Sequence, residues 1–144
     1  MSRVIRVESA SRSRERLLQG IAAALRFAAS APSTPPDEVD LLAFLDACVS
    51  GLRQSVDDTA TAWEKRGYWL KADRFRQEWA WAERIGAPLH AALDSGDLDR
   101  ARSLGMELAT PVREVRLPAS WTKARPWAGA WERRNGSSKK PQAS

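Results

Sequence analysis

The chain of 144 residues holds one histidine and one cysteine, so the chemistry open to it depends on where those two fall. Any Ser-His-Asp or Cys-His arrangement would have to use His90, with nucleophile and acid supplied by the fold. Cys48 lies inside an apolar stripe, where a cysteine behaves as a small buried hydrophobe. His90 follows Leu89 directly, off the apolar seam, and is expected on the solvated surface. Carboxylate metal sites in helical bundles need inward glutamates and Glu-x-x-His pairs on facing helices. The sequence has no Glu-x-x-His, and although Glu64, Glu78 and Glu83 could share a metal in principle, the latter two lie beside seam positions rather than on them. The run Asp94-Ser95-Gly96-Asp97-Leu98-Asp99 lacks the spacing and terminal glutamate of a calcium loop and reads as turn and cap chemistry. No glycine-rich phosphate loop or dinucleotide fingerprint occurs. The sequence therefore nominates no catalytic residue, no cofactor and no metal ligand, and the expected protein is not an enzyme.

Tryptophan is the outlying residue type, with 7 copies. Trp63 and Trp79 fall on apolar seams and read as core, and Trp69, at a helix start, can do the same. Trp81 points about 200° away from Trp79 around a helix, joining Leu70, Arg74, Gln77 and Ile85 on a second face. That face either receives another part of the chain or meets another protein, since Trp and Arg are favoured at interface hot spots. Between Tyr68 and Arg84, aromatics alternate with Lys71, Arg74, Arg76 and Arg84, a pattern suited to stacking bases and holding phosphates, but Asp73, Glu78 and Glu83 cancel much of that field. A third group lies in residues 119–144, where Trp121, Trp127 and Trp131 are interspersed with Lys123, Arg125, Arg133, Arg134, Lys139 and Lys140. Such an arm can bind a phosphate backbone without sequence preference, strap back onto its own fold, or dock into a partner's groove.

The elements that must position these residues are helical. Ala and Leu dominate the apolar set and β-branched residues are scarce, which favours helix over sheet. Residues 1–12 read as a flexible N-terminus, with Arg3 to Val7 able to form a short extended piece. From Ser13 to about Ala29, Leu17, Leu18, Ile21, Leu25 and Ala28 recur three and four apart, one face of an amphipathic helix. The proline-rich stretch Ser30 to Pro36 stops it. Thr34 as cap, Pro35 at the first position and Asp37 three residues after the cap then predict a new start. Leu42, Leu45, Val49, Leu52, Val56, Thr59 and Trp63 continue that helix to Gly67, flanked by Leu41, Phe44 and Cys48.

A second seam, Tyr68, Ala72, Phe75, Trp79, Ala82, Gly86, Leu89 and Leu93, follows at once. The chain either reverses at Gly67 or runs on with a kink, and reversal is favoured; Pro88 should bend or restart the helix near Gly86. Asp97 should cap a fourth helix, Leu98 to Leu108, closed by Thr110-Pro111, after which Val112 to Leu117 can be extended. The expected fold class is all-α: a small helical bundle over residues 13–118, built on a long antiparallel hairpin with a short fourth helix, followed by an irregular basic tail over 119–144 that is disordered towards its end.

Composition narrows the partners. No stretch approaches the roughly 20 apolar residues that span a bilayer, and the polar, arginine-rich start has no apolar secretory region behind it. A cytoplasmic protein without membrane contact is expected, and 18 arginines among 23 basic residues hint at a GC-rich bacterial genome. The net charge of +5 is uneven: residues 32–67 hold three basic and seven acidic residues, whereas residues 119–144 hold six basic and one acidic. The leading expectation is a non-catalytic interaction or assembly subunit, binding another protein or itself through Arg74, Trp81, Trp121, Trp127 and Trp131. The alternative is a nucleic-acid-binding accessory protein whose phosphate contacts are Lys123, Arg125, Arg133, Arg134, Lys139 and Lys140.

Overall fold

The computed structural model describes residues 9–30 and 35–136, and all regular structure among them is helical. Eight helical segments follow in order: α1 (Ala10–Ser30), α2 (Pro35–Lys65), α3 (Trp69–Glu78), α4 (Ala80–Ser95), α5 (Leu98–Glu107), α6 (Ala109–Val112), α7 (Trp121–Ala124) and α8 (Ala130–Asn135). No helix among the described residues is long and apolar enough to cross a membrane.

The first helix starts earlier than the apolar pattern indicates. The Ser9 hydroxyl accepts a hydrogen bond from the Arg12 backbone N–H at 3.2 Å, so a serine cap recruits three residues expected to be loose. The extended piece expected at Arg3 to Val7 lies outside the described residues, as does Thr34. Helix α2 opens on Pro35 and Pro36, where a missing N–H costs nothing. Its 31 residues give a rod of roughly 46 Å at 1.5 Å per residue. Leu42, Leu45, Val49, Leu52 and Val56 are buried along one side of it.

At the far end of α2 the chain turns sharply. The Tyr68 N–H donates to the Trp63 carbonyl at 2.9 Å and the Gly67 N–H to the Glu64 carbonyl at 3.0 Å, with Gly67 at φ +83°. This pairing satisfies the last carbonyls of the helix and needs a left-handed residue where glycine stands. The returning chain is tied to α2 by Arg76 to Glu64 and Asp57, Arg53 to Glu83, and His90 to Asp46. Partner numbers fall on α2 as they rise on α3 and α4, so the two runs are oppositely directed. Gly86 permits their closest approach: a Cβ there would lie 2.5 Å from Val49 Cγ1 and 2.8 Å from Arg53 Cδ.

Two breaks differ from the expected ones. The returning helix breaks at Trp79 (φ −102°, ψ 11°), and Pro88 sits inside α4 without ending it. A straight helix would set Trp79 and Trp81 about 200° apart; the break lets both lean on the core, their rings 5.9 Å apart. The carbonyl of Arg84, which loses its partner at Pro88, belongs to an exposed residue where water can satisfy it. Similarly, Thr110-Pro111 does not close the chain's helical run. Pro111 falls in the first turn of α6, where no N–H is required, and only residues beyond Val112 become irregular. The Asp97 side chain does cap α5, accepting from the Arg100 N–H at 3.1 Å.

Ile21, Val49, Leu52, Leu89, Leu93 and Leu108 form the fully enclosed centre of the core. Helix α1 lies along α2 and also meets α6 and α7, while α8 packs on the N-terminal half of α2. Arg14 is drawn into this framework rather than left in water. Its guanidinium donates to Ser55 Oγ and Thr59 Oγ1, both at 3.1 Å, and lies 4.9 Å from the Phe75 ring centre.

Candidate interaction site

The three tail tryptophans are anchored on the bundle. Trp127 and Trp131 are 5% and 6% exposed, which corrects the expectation that they face a partner. Trp127 packs on Phe27 and Phe44 at ring separations of 4.9 and 6.1 Å. Trp121 is half-buried and donates its indole N–H to Gln19 Oε1 at 3.1 Å. Each ring thus finds apolar surface, and the Trp121 indole N–H also finds an acceptor.

Two carboxylates in α2 fix this segment. Asp40 is buried and accepts the Gly129 N–H at 3.2 Å and the Trp131 N–H at 3.1 Å, so it satisfies two backbone donors at the start of α8. Asp46, also buried, accepts from Arg134 Nε at 3.0 Å, and Arg134 Nη2 continues to Asp94 Oδ1 at 2.6 Å. His90 closes the cluster, with Nδ1 3.0 Å from Asp46 Oδ1 and Nε2 3.4 Å from Asp94 Oδ2. His90 is therefore half-exposed yet engaged on both ring nitrogens, rather than simply solvated.

Charge is neutralised in place here. Burial is the largest influence on Arg134 and lowers its proton affinity, but the bonds to Asp46 and Asp94 together outweigh it and hold the guanidinium charged. The Arg134 hydrogen bond is the main cause that depresses the Asp94 carboxyl below its ordinary value.

This geometry removes much of the expected phosphate-binding arm. Arg133 donates to the carbonyls of Ala128 and Pro126, both at 2.8 Å, and Arg134 is spent on aspartates. Arg125 is exposed and lies 5.1 Å from the Phe27 ring centre. Lys139, Lys140 and the side chain of Lys123 lie outside the described residues. Of the second helical face, Ile85 is buried and Trp81 half-buried on the core, while Leu70, Arg74 and Gln77 remain exposed. One end of that face is covered by the fold and the other is open.

The open end is where apolar surface and free charge coincide. Tyr68, Trp69 and Leu70 are 54%, 66% and 62% exposed, and Trp69, expected in the core, is the most open of the three. They border a groove of about 540 Å³ that is also lined by Trp63, Lys71, Arg74, Phe75 and Glu78. Trp63 and Phe75 meet edge to face at 5.0 Å and form the aromatic floor, and the Lys71 amine sits 4.5 Å from the Trp63 ring centre. The turn at Gly67 produces this surface. It places Tyr68 to Leu70 at the extremity of the bundle, where the described chain provides nothing to cover them.

Burial pushes the Cys48 thiol up to about 12, so it carries no thiolate at neutral pH. Among the described residues no three His, Cys, Asp or Glu side chains are grouped so that they could hold a metal ion. No protein family, curated protein or solved structure matches this chain.

Proposed function

We propose that this chain is a non-catalytic interaction or assembly subunit whose partner protein docks on the Tyr68–Leu70 end of the bundle. One observation carries the reading: three consecutive large apolar residues stand exposed beside an aromatic-floored groove, with Arg74 at its edge. Isolated exposed apolar residues are ordinary on protein surfaces, but a contiguous patch with Trp, Tyr and Arg has the composition of a binding hot spot.

The test compares the full chain with Trp69→Ala and Leu70→Ala by light scattering and by photo-cross-linking from position 66. Both variants should melt like the parent, while self-association or cross-linked partner is lost. Unchanged association and cross-linking in both variants would sink the reading.

Nucleic acid remains the second reading, on one specific ground: Tyr68 and Trp69 are exposed next to Lys65, Arg66, Lys71 and Arg74, which is the pattern of a base-stacking platform. It ranks lower because Glu78 lines the same groove and because Arg133 and Arg134 of the tail are already engaged. It requires binding whose log affinity falls by roughly 0.7 per phosphate neutralised on single strands as log salt rises.

A further inference from the structure

Resting on the docking reading above, the charges around the groove specify the chemistry of the occupant. Residues 63–78 hold five basic and three acidic side chains, but the two signs are not equally available. Glu64 is taken by Arg76 at 3.1 Å. Asp73 accepts from the neutral Gln77 amide at 3.1 Å and keeps its charge, and Glu78 lies near Arg14, whose proton affinity burial lowers and Glu78 only partly restores. Lys65, Arg66 and Arg74 are exposed and have no carboxylate partner among the described residues. Among the described residues, Lys71 meets the face of Trp63. Arg76 in the same stretch, and Arg53, Arg102 and Arg134 outside it, each hold at least one carboxylate. Among the described residues, Lys65, Arg66, Lys71 and Arg74 thus stand beside the open apolar surface without a carboxylate partner.

We infer that the groove takes an acidic segment of a partner protein, one that lays a large apolar side chain on Trp63 and Phe75 and sets carboxylates against Arg74 and Lys71. Complementary charge at an interface rim steers encounter and excludes partners of the wrong sign. The exposed aliphatic Leu70 favours a protein side chain over a nucleobase.

Two fluorescein-labelled peptides of about fifteen residues, roughly four helical turns, test this. They share the same Leu and Trp positions and carry either Glu or Lys between them; a labelled oligothymidine of similar length is the third probe. The acidic peptide should bind the full chain, weaken as salt rises from about 0.1 to about 0.5 M, and lose at least about tenfold in affinity on Arg74→Glu. Arg125→Glu, on the covered side, should leave it unchanged. Equal binding of the lysine peptide, lost on Trp69→Ala, overturns the acidic assignment while leaving the docking reading intact. Binding of neither peptide overturns the assignment as well, and tighter binding of oligothymidine overturns both.

Discussion

The two ends of this molecule are made from the same residue types and do opposite things with them. Residues 119–136 and residues 63–78 both mix tryptophan with arginine and lysine. In the C-terminal segment the rings are covered and Arg133 and Arg134 are bonded to carbonyls and aspartates. At the turn, Trp69 stands exposed and Arg74 has no carboxylate partner among the described residues. Composition does not separate the two regions; position does. The C-terminal segment runs alongside a long helix that offers Asp40 and Asp46 from a buried face, whereas the turn projects past the described residues that could cover it.

The largest break in this comparison should come from the buried rings. Trp131→Ala or Trp127→Ala should cost about 3–5 kcal/mol in chemical denaturation, while Trp69→Ala should stay within about 0.5 kcal/mol of the parent. A comparable loss at Trp69 would mean that its ring supports the core after all. Next in size is the carboxylate beneath α8. Asp46→Asn strips the main acceptor from a nearly buried guanidinium and should cost about 3 kcal/mol, the low end for a broken buried pair because Asp94 retains a bond to Arg134. Faster amide hydrogen exchange across 130–135 would report it, and Arg74→Ala should change no amide there.

A smaller effect separates the regions by pH. The Asp94 carboxyl lies below its unfolded value, so its contribution is complete above the ordinary carboxylate range and is lost as pH falls through the lowered folded value. Asp94→Asn should therefore flatten part of the acid decline in melting temperature; an unchanged acid limb would show that Asp94 is not held by Arg134 in solution. The smallest test is optical. Trp69→Phe should reduce iodide quenching of tryptophan emission, and Trp127→Phe should not.

How much of this was legible beforehand follows the same division. The all-helical class, the extent of α2 and its buried positions Leu42, Leu45, Val49 and Leu52 follow from spacing alone, because a periodic apolar stripe has one economical way to be covered. The seam through Ala72, Ala82, Gly86, Leu89 and Leu93 is likewise buried where the pattern places it. The break at Trp79 and the exposure of Trp69 were not legible, since both depend on which rings the rest of the chain can reach. Asp40 and Asp46 were hidden by their charge, read as part of an acidic helix. A signal did exist: Asp46 lies only about 40° around the helix from Leu42, inside the apolar arc, and a carboxylate there needs a cation from elsewhere in the chain.

Asp40 and Asp46 also impose an order on synthesis. Their partners Trp131 and Arg134 follow them by 91 and 88 residues. At about 5–20 residues per second, the face of α2 that will receive α8 stays uncovered for roughly 5–20 s after it is made. A wholly apolar face would be free through that interval to seize another nascent chain. Two ionised aspartates keep it hydrated instead, because burying them without a guanidinium and backbone donors is prohibitively costly. The same two side chains that fasten the finished bundle thus act beforehand as gatekeepers, reserving their surface for the one segment that brings the matching donors.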